Sequence, residues 1–154
     1  MFFKTTLFDY ICGMNRIIGI DYGKKRIGLA VSDPLGMFAS PLETVPPAKI
    51  IEYLKQYAAG KEPVSLFVVG YPMNLDNTPS EAARFVDEFI KRLKKNFPDI
   101  PVVCEDERFT SVLAHRAMID GGMRKMDRRD KAVVDKISAA IILQTYLDRP
   151  DRNR

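Results

Sequence analysis

Residues 64 to 106, VSLFVVGYPMNLDNTPSEAARFVDEFIKRLKKNFPDIPVVCED, constrain the fold more than any other stretch of the chain. Val64 to Gly70 is a near-continuous apolar run of strand length, and a strand apolar on both faces belongs inside a parallel sheet covered by helices. A parallel neighbour requires a crossover of a dozen or more residues, and the sequence supplies one directly. A polar loop, YPMNLDN, leads into Thr78-Pro79-Ser80-Glu81, the pattern of a capping box with proline at the first helical position. Ala82, Phe85, Val86, Phe89, Ile90, Leu93 and Phe97 then recur at helical spacing. Pro101 to Asp106 reads as the returning strand, so the segment predicts a strand, helix, strand unit.

Upstream, Arg16 to Asp21 and Ile27 to Asp33 are strand-like runs joined by a short turn containing Gly23, which predicts an antiparallel hairpin. Met37 to Val45 adds a third strand after the Pro34/Gly36 turn. Ile50, Ile51, Leu54, Tyr57 and Ala58 mark a short amphipathic helix that Gly60 ends. Downstream, Thr110 or Ser111 is expected to cap a helix carrying Val112, Leu113, Ala117 and Met118, stopped by Gly121-Gly122. GGMRKMDRRDK has no apolar period and reads as a mobile loop. Lys131 to Leu147 forms the last helix. The expected architecture is α/β, a mixed five-stranded sheet of three antiparallel strands followed by parallel ones, flanked by helices.

The chain has 154 residues, 46% of them apolar, enough for one core that removes roughly two thirds of the unfolded surface from water. Residues 1 to 15 are read as an N-terminal extension, 16 to 148 as the domain, and 149 to 154 as a polar tail. The opening MFFKTTLFDYICG is interrupted by Asp9 and lacks a small-x-small cleavage site, so no signal peptide is expected. No later run is long enough to cross a membrane. Cys12 and Cys104 are far apart, and Cys104 falls in what reads as a buried strand; a reduced, cytoplasmic protein is expected. The formal charge of +4 and pI near 9.1 permit a polyanionic partner without demonstrating one.

Carboxylates stand at three places where solvated ones are not expected. Asp21 ends an apolar strand on the face of Ile17 and Gly19; it either caps its own turn or meets a cation, a metal or several donors. Glu105-Asp106-Glu107 close the strand PVVCED, where at least one points toward the carboxyl end of the sheet and the others can pair with Arg108. Asp135 lies in KAVVDKISAAIILQTYL, stacked over Ala139 and Ile142 on a face small enough at Ser138, Ala139 and Ala140 to press on a sheet. Its plainer reading is an acidic residue favoured by the helix dipole. If the three meet at one sheet edge, their repulsion calls for divalent cations, and all-oxygen ligation suits Mg²⁺ or Mn²⁺. His115 and two distant cysteines offer no zinc set. The basic turn Lys24-Lys25-Arg26 and the loop cations Arg124, Lys125, Arg128 and Arg129 could then hold a phosphate backbone, or simply solubilise the surface.

GIDYGKKRIGLAVSD, VVGYPMNLDNTPSEAARF, EDERFTSVLA and VDKISAAIILQTYL, in that order, resemble the YqgF/RuvX family of pre-16S ribosomal RNA nucleases, relatives of the Holliday junction resolvases, from about Arg16 to Leu147. The resemblance implies a ribonuclease H-like fold and a divalent-metal-dependent nuclease that processes the 5′ end of precursor 16S ribosomal RNA, with the ribosome or its assembly intermediates as partners. It carries Asp21, Glu107 and Asp135 over as catalytic and metal-binding residues, with Mg²⁺ or Mn²⁺ as the cofactor. Asp106 and Arg108 match the same DER motif, and Arg108 joins the candidate nucleic-acid contacts. Two departures stand out. Asn77 replaces a glycine common soon after the LD pair, and the fourth strand ends in Gly70-Tyr71 where related resolvases place a carboxylate. The alternatives are cleavage of branched DNA and a non-catalytic nucleic-acid-binding module of the same fold. An actin-like ATPase reading would need a second such domain.

Overall fold

The computed structural model describes residues 15–60 and 62–152, so the extension expected over 1–15, apart from Asn15, lies outside the described residues, as does Cys12. Five strands, β1 (Arg16–Tyr22), β2 (Ile27–Ser32), β3 (Ala39–Val45), β4 (Val64–Tyr71) and β5 (Val102–Asp106), form one sheet in the order β3-β2-β1-β4-β5. The first three pair antiparallel; β4 runs parallel to both β1 and β5. The helices are α1 (Ile50–Ala58), α2 (Ala83–Asn96), α3 (Thr110–Asp120) and α4 (Lys131–Leu147). None is long and apolar enough to cross a membrane.

The alternation along β1 divides the core. Ile18 and Ile20 face Val86, Phe89 and Leu93 of α2 and Ile50 and Leu54 of α1. Ile17 and Gly19 face the other way, toward Ala139, Ile142 and Leu143 of α4, and Asp21 belongs to that second face. Small residues let α4 lie almost on the strands. A Cβ at Gly19 would stand 2.7 Å from Leu143 Cβ, and one at Gly28 would fall on the Asp135 carbonyl oxygen. Polar clamps fix the helix at both ends. Thr44 Oγ1 donates to the Ala132 carbonyl at 2.5 Å, while Gln144 Oε1 accepts from the Ala39 amide at 2.9 Å.

Several local expectations are corrected. The Thr78-Pro79-Ser80-Glu81 pattern does not cap α2, which starts at Ala83 without a side-chain cap. Asp76 takes the threonine instead, accepting from its amide at 3.0 Å and its hydroxyl at 2.5 Å, the local turn chemistry that competes with helix capping. α3 likewise begins at Thr110 with no capping side chain. Its buried stripe is Thr110, Ala114 and Met118, spaced four apart, while Val112 and Leu113 are 67% and 48% exposed. Cys104 is exposed because β5 is an edge strand with only β4 beside it. The segment read as a mobile loop contains a 3₁₀ turn, Asp127–Arg129, and Asp130 caps α4 by accepting from the Ala132 amide at 3.0 Å.

Candidate active site

Asp21 stands at the carboxyl end of β1, paired across the hairpin with Gly28. Because Gly28 lacks a side chain, the α4 backbone at Asp135 rests directly above it, which sets Asp135 beside Asp21. Glu107 arrives from the other side, one residue past β5. Its amide donates to the Tyr71 carbonyl at 3.2 Å, and its carbonyl accepts from the Thr110 amide at 3.0 Å. Gly70 clears the way for its carboxylate: a Cβ there would stand 2.5 Å from Glu107 Oε2 and 2.5 Å from Ile142 Cδ1.

The carboxyl groups of Asp21 and Glu107 lie close enough for each to perturb the other's titration. Burial first, then the Asp21 charge, raises Glu107 from its ordinary 4.5 to about 8. Burial first, then the Asp135 charge, raises Asp21 from 3.8 to about 6. At neutral pH the pair therefore keeps one proton between its two carboxyl groups. Asp135 is neutralised differently: Arg26 Nε donates to its Oδ2 at 2.7 Å. In this arrangement no group of three His, Cys, Asp or Glu side chains among the described residues is already spaced to hold a metal ion.

A sequence model of the RuvX family, described as Holliday junction resolvase, matches residues 15–149. The chain belongs to the RuvX family. A relative from Parabacteroides distasonis, named "Putative pre-16S rRNA nuclease", is 53% identical over 135 residues, covering 88% of this chain and 96% of its own. Another of the same name, from Porphyromonas gingivalis, is 48% identical over 139 residues, covering 90% and 100%. Among solved structures, T. thermophilus RuvC in complex with a Holliday junction substrate covers 90% of this chain and 97% of its own at 17% identity and a TM-score of 0.51, a likeness of fold alone. The fold is ribonuclease H-like, and as a RuvX protein the chain is a hydrolase of ester bonds.

The rest of the RuvX DER motif is occupied structurally. Arg108 binds Asp106 through Nε at 2.8 Å and Nη2 at 2.7 Å, and reaches Asn77 Oδ1 at 2.8 Å. Arg108 is thus committed to Asp106 and the loop after β4 rather than held out to solvent. Asn77 takes the left-handed backbone, φ 66°, that a glycine would adopt at no steric cost. Glu105 turns inward, 4% exposed, with its Oε2 2.9 Å from Arg149 Nη2 in a charge contact that lacks hydrogen-bond alignment. Burial nonetheless pushes its pKa up, against the pull of Arg149.

Lys24, Lys25, Arg124, Lys125 and Arg129 are exposed, whereas Arg26 and Arg128 are half-buried. Sequence reasoning placed Arg26 among the phosphate contacts and missed its tie to Asp135. It also missed the glycines that shape the site, Gly19, Gly28 and Gly70. Their signal was present, since glycine inside an apolar strand marks close approach of another backbone.

Proposed function

We propose that this RuvX protein is a divalent-metal-dependent endonuclease that hydrolyses phosphodiester bonds in 5′-end processing of precursor 16S ribosomal RNA. The observation that carries the reading is the convergence of Asp21, Glu107 and Asp135, with Asp135 seated over Gly28 beside Asp21 and Glu107 admitted by Gly70. The donor set fits Mg²⁺ or Mn²⁺: it is all oxygen, it lies at the carboxyl ends of parallel strands, and its carboxylates are crowded enough to retain a proton. Asp21, Glu107 and Asp135 would hold the cation, which when bound supplies activation of a water and stabilisation of the leaving oxygen. Arg26 holds Asp135 oriented and compensated until then. Glu107 must surrender its proton before its carboxylate can ligate. Lys24, Lys25, Arg124, Lys125, Arg128 and Arg129 contact the phosphate backbone, and Arg108 fixes the loop after β4 against the DER motif.

The choice of RNA follows the names of the relatives. A second reading, cleavage of a four-way DNA junction, is favoured by the family description. Purified protein incubated with precursor ribosomal RNA and with a four-way junction, each with Mn²⁺, with Mg²⁺ and with chelator, separates them. Metal-dependent shortening of the 5′ leader supports the proposal. Binding of either substrate with no cleavage under any metal would leave a non-catalytic module.

A further inference from the structure

Glu107 borders a small apolar cleft of about 120 Å³ that also touches Tyr22 and Pro72. The cleft shares Lys24, Ala82 and Phe85 with a wider groove of about 630 Å³, so the carboxylate site continues into that groove without a break in its lining. The groove lies in the volume range that holds small ligands. Phe85 was expected on the core stripe of α2, yet it is half-buried and lines both spaces. Lys24 Nζ stands 4.0 Å from its ring centroid and Arg84 Cζ 4.6 Å. One turn on, Phe89 stacks on Tyr22 at 4.8 Å, which anchors this end of α2 to β1. The Oγ of Ser80, which also lines the groove, is buried and has no hydrogen-bond partner. Glu81 is the groove's one carboxylate, against the two cations.

An aromatic face and two cations beside the candidate carboxylate site suit a nucleotide. A cation resting on an accessible ring is held more weakly than a base stacked on the same aromatic side chain. A base can therefore displace a cation from Phe85 and leave it to the adjoining phosphate. We propose that this groove is a subsite for an unpaired nucleotide next to the cleaved bond, its base stacked on Phe85 and its phosphate held by Lys24 and Arg84. A base inside a duplex has both faces covered and cannot enter, so the subsite selects single-stranded substrate without selecting a sequence. The position of the cleaved bond rests on the nuclease reading above; the existence of the subsite does not.

The test compares Phe85→Ala and Phe85→Leu with the unaltered protein in chelator, using fluorescence anisotropy with a labelled single-stranded oligouridylate and a blunt RNA duplex of equal length. Loss of about tenfold in single-strand affinity, with duplex affinity retained, is expected. With Mn²⁺, KM for a substrate unpaired beside the cleaved bond should rise while kcat and the metal-induced gain in Tm persist. Phe85→Leu keeps apolar bulk, so it decides the matter if the alanine variant misfolds. Unchanged single-strand binding, or equal loss for both probes, would overturn the subsite. If the unaltered protein cleaves nothing, the nuclease reading fails and the anisotropy comparison still decides.

Discussion

Replacing Asp21 by Asn keeps the side chain's size and its capacity to bond the hairpin turn, and removes one negative charge. In the metal-free protein that charge is costly. Burial, and after it the Asp135 carboxylate, raises the Asp21 pKa from 3.8 to about 6, which amounts to about 3 kcal/mol held against the ionised form. Asn escapes that cost but is a weaker acceptor for the Glu107 proton, a loss of about 1 kcal/mol. Metal-free Asp21→Asn at pH 8 should therefore be more stable by about 2 kcal/mol, or roughly 4–8 °C in Tm for a chain of this size. Metal-dependent cleavage and Mn²⁺ affinity should fall by at least about tenfold. RNA affinity should persist, because the cations proposed to contact the backbone are untouched. Thermal unfolding with chelator and with Mn²⁺, initial cleavage rates and filter binding measure the three effects. A folded variant that cleaves at the original rate would refute the ligand role, and a lower metal-free Tm at pH 8 would refute the crowding argument.

Gly28→Ala should destabilise by about 3 kcal/mol or more in urea unfolding, since the added Cβ meets backbone at Asp135 rather than a yielding side chain; a near-neutral result would mean that α4 does not rest on β2. Arg26→Gln should lower the Tm in chelator by leaving Asp135 uncompensated beside Asp21, a cost of about 1–2 kcal/mol, and Mn²⁺ should restore part of it; equal loss with and without metal would contradict competition for that carboxylate. Asp21 and Glu107 both bind protons more tightly when folded, at about 6 and about 8 against 3.8 and 4.5, so the native state holds the extra protons between roughly pH 4 and 8. In chelator, stability should be greatest at the acid end of that window, fall as pH rises and level off above about 8, with Glu107→Gln flattening the slope; a Tm rising across the window would exclude the shared proton.

The strand, helix, strand unit and the hairpin were legible because their signals are periodic and survive any tertiary context: β1, β2 and α1 begin and end within a residue of where the apolar pattern puts them. Signals that depend on a neighbour were not. Thr78 carries the capping pattern but sits two residues after Asp76, and which of two nearby acceptors wins is decided by the loop's path. Glu105, Asp106 and Glu107 share one short peptide, and only the three-dimensional arrangement separates them. Gly70 admits Glu107, Arg149 draws Glu105 inward, and Arg108 keeps Asp106. Arg26 read as one cation of a surface run because its partner, Asp135, is 109 residues away.

The metal-free site is balanced in two separate ways, and the separation has a chemical consequence. Asp21 and Glu107 shed one charge by keeping a proton, whereas Asp135 is paired with a cation, Arg26, from the adjoining turn. Three crowded, half-buried carboxylates are thus compensated within the chain itself. Binding of a divalent cation by these three carboxylates would be an exchange, needing the first pair to give up its proton and Arg26 to release Asp135. Metal affinity should accordingly strengthen as pH rises toward about 8, the Glu107 value.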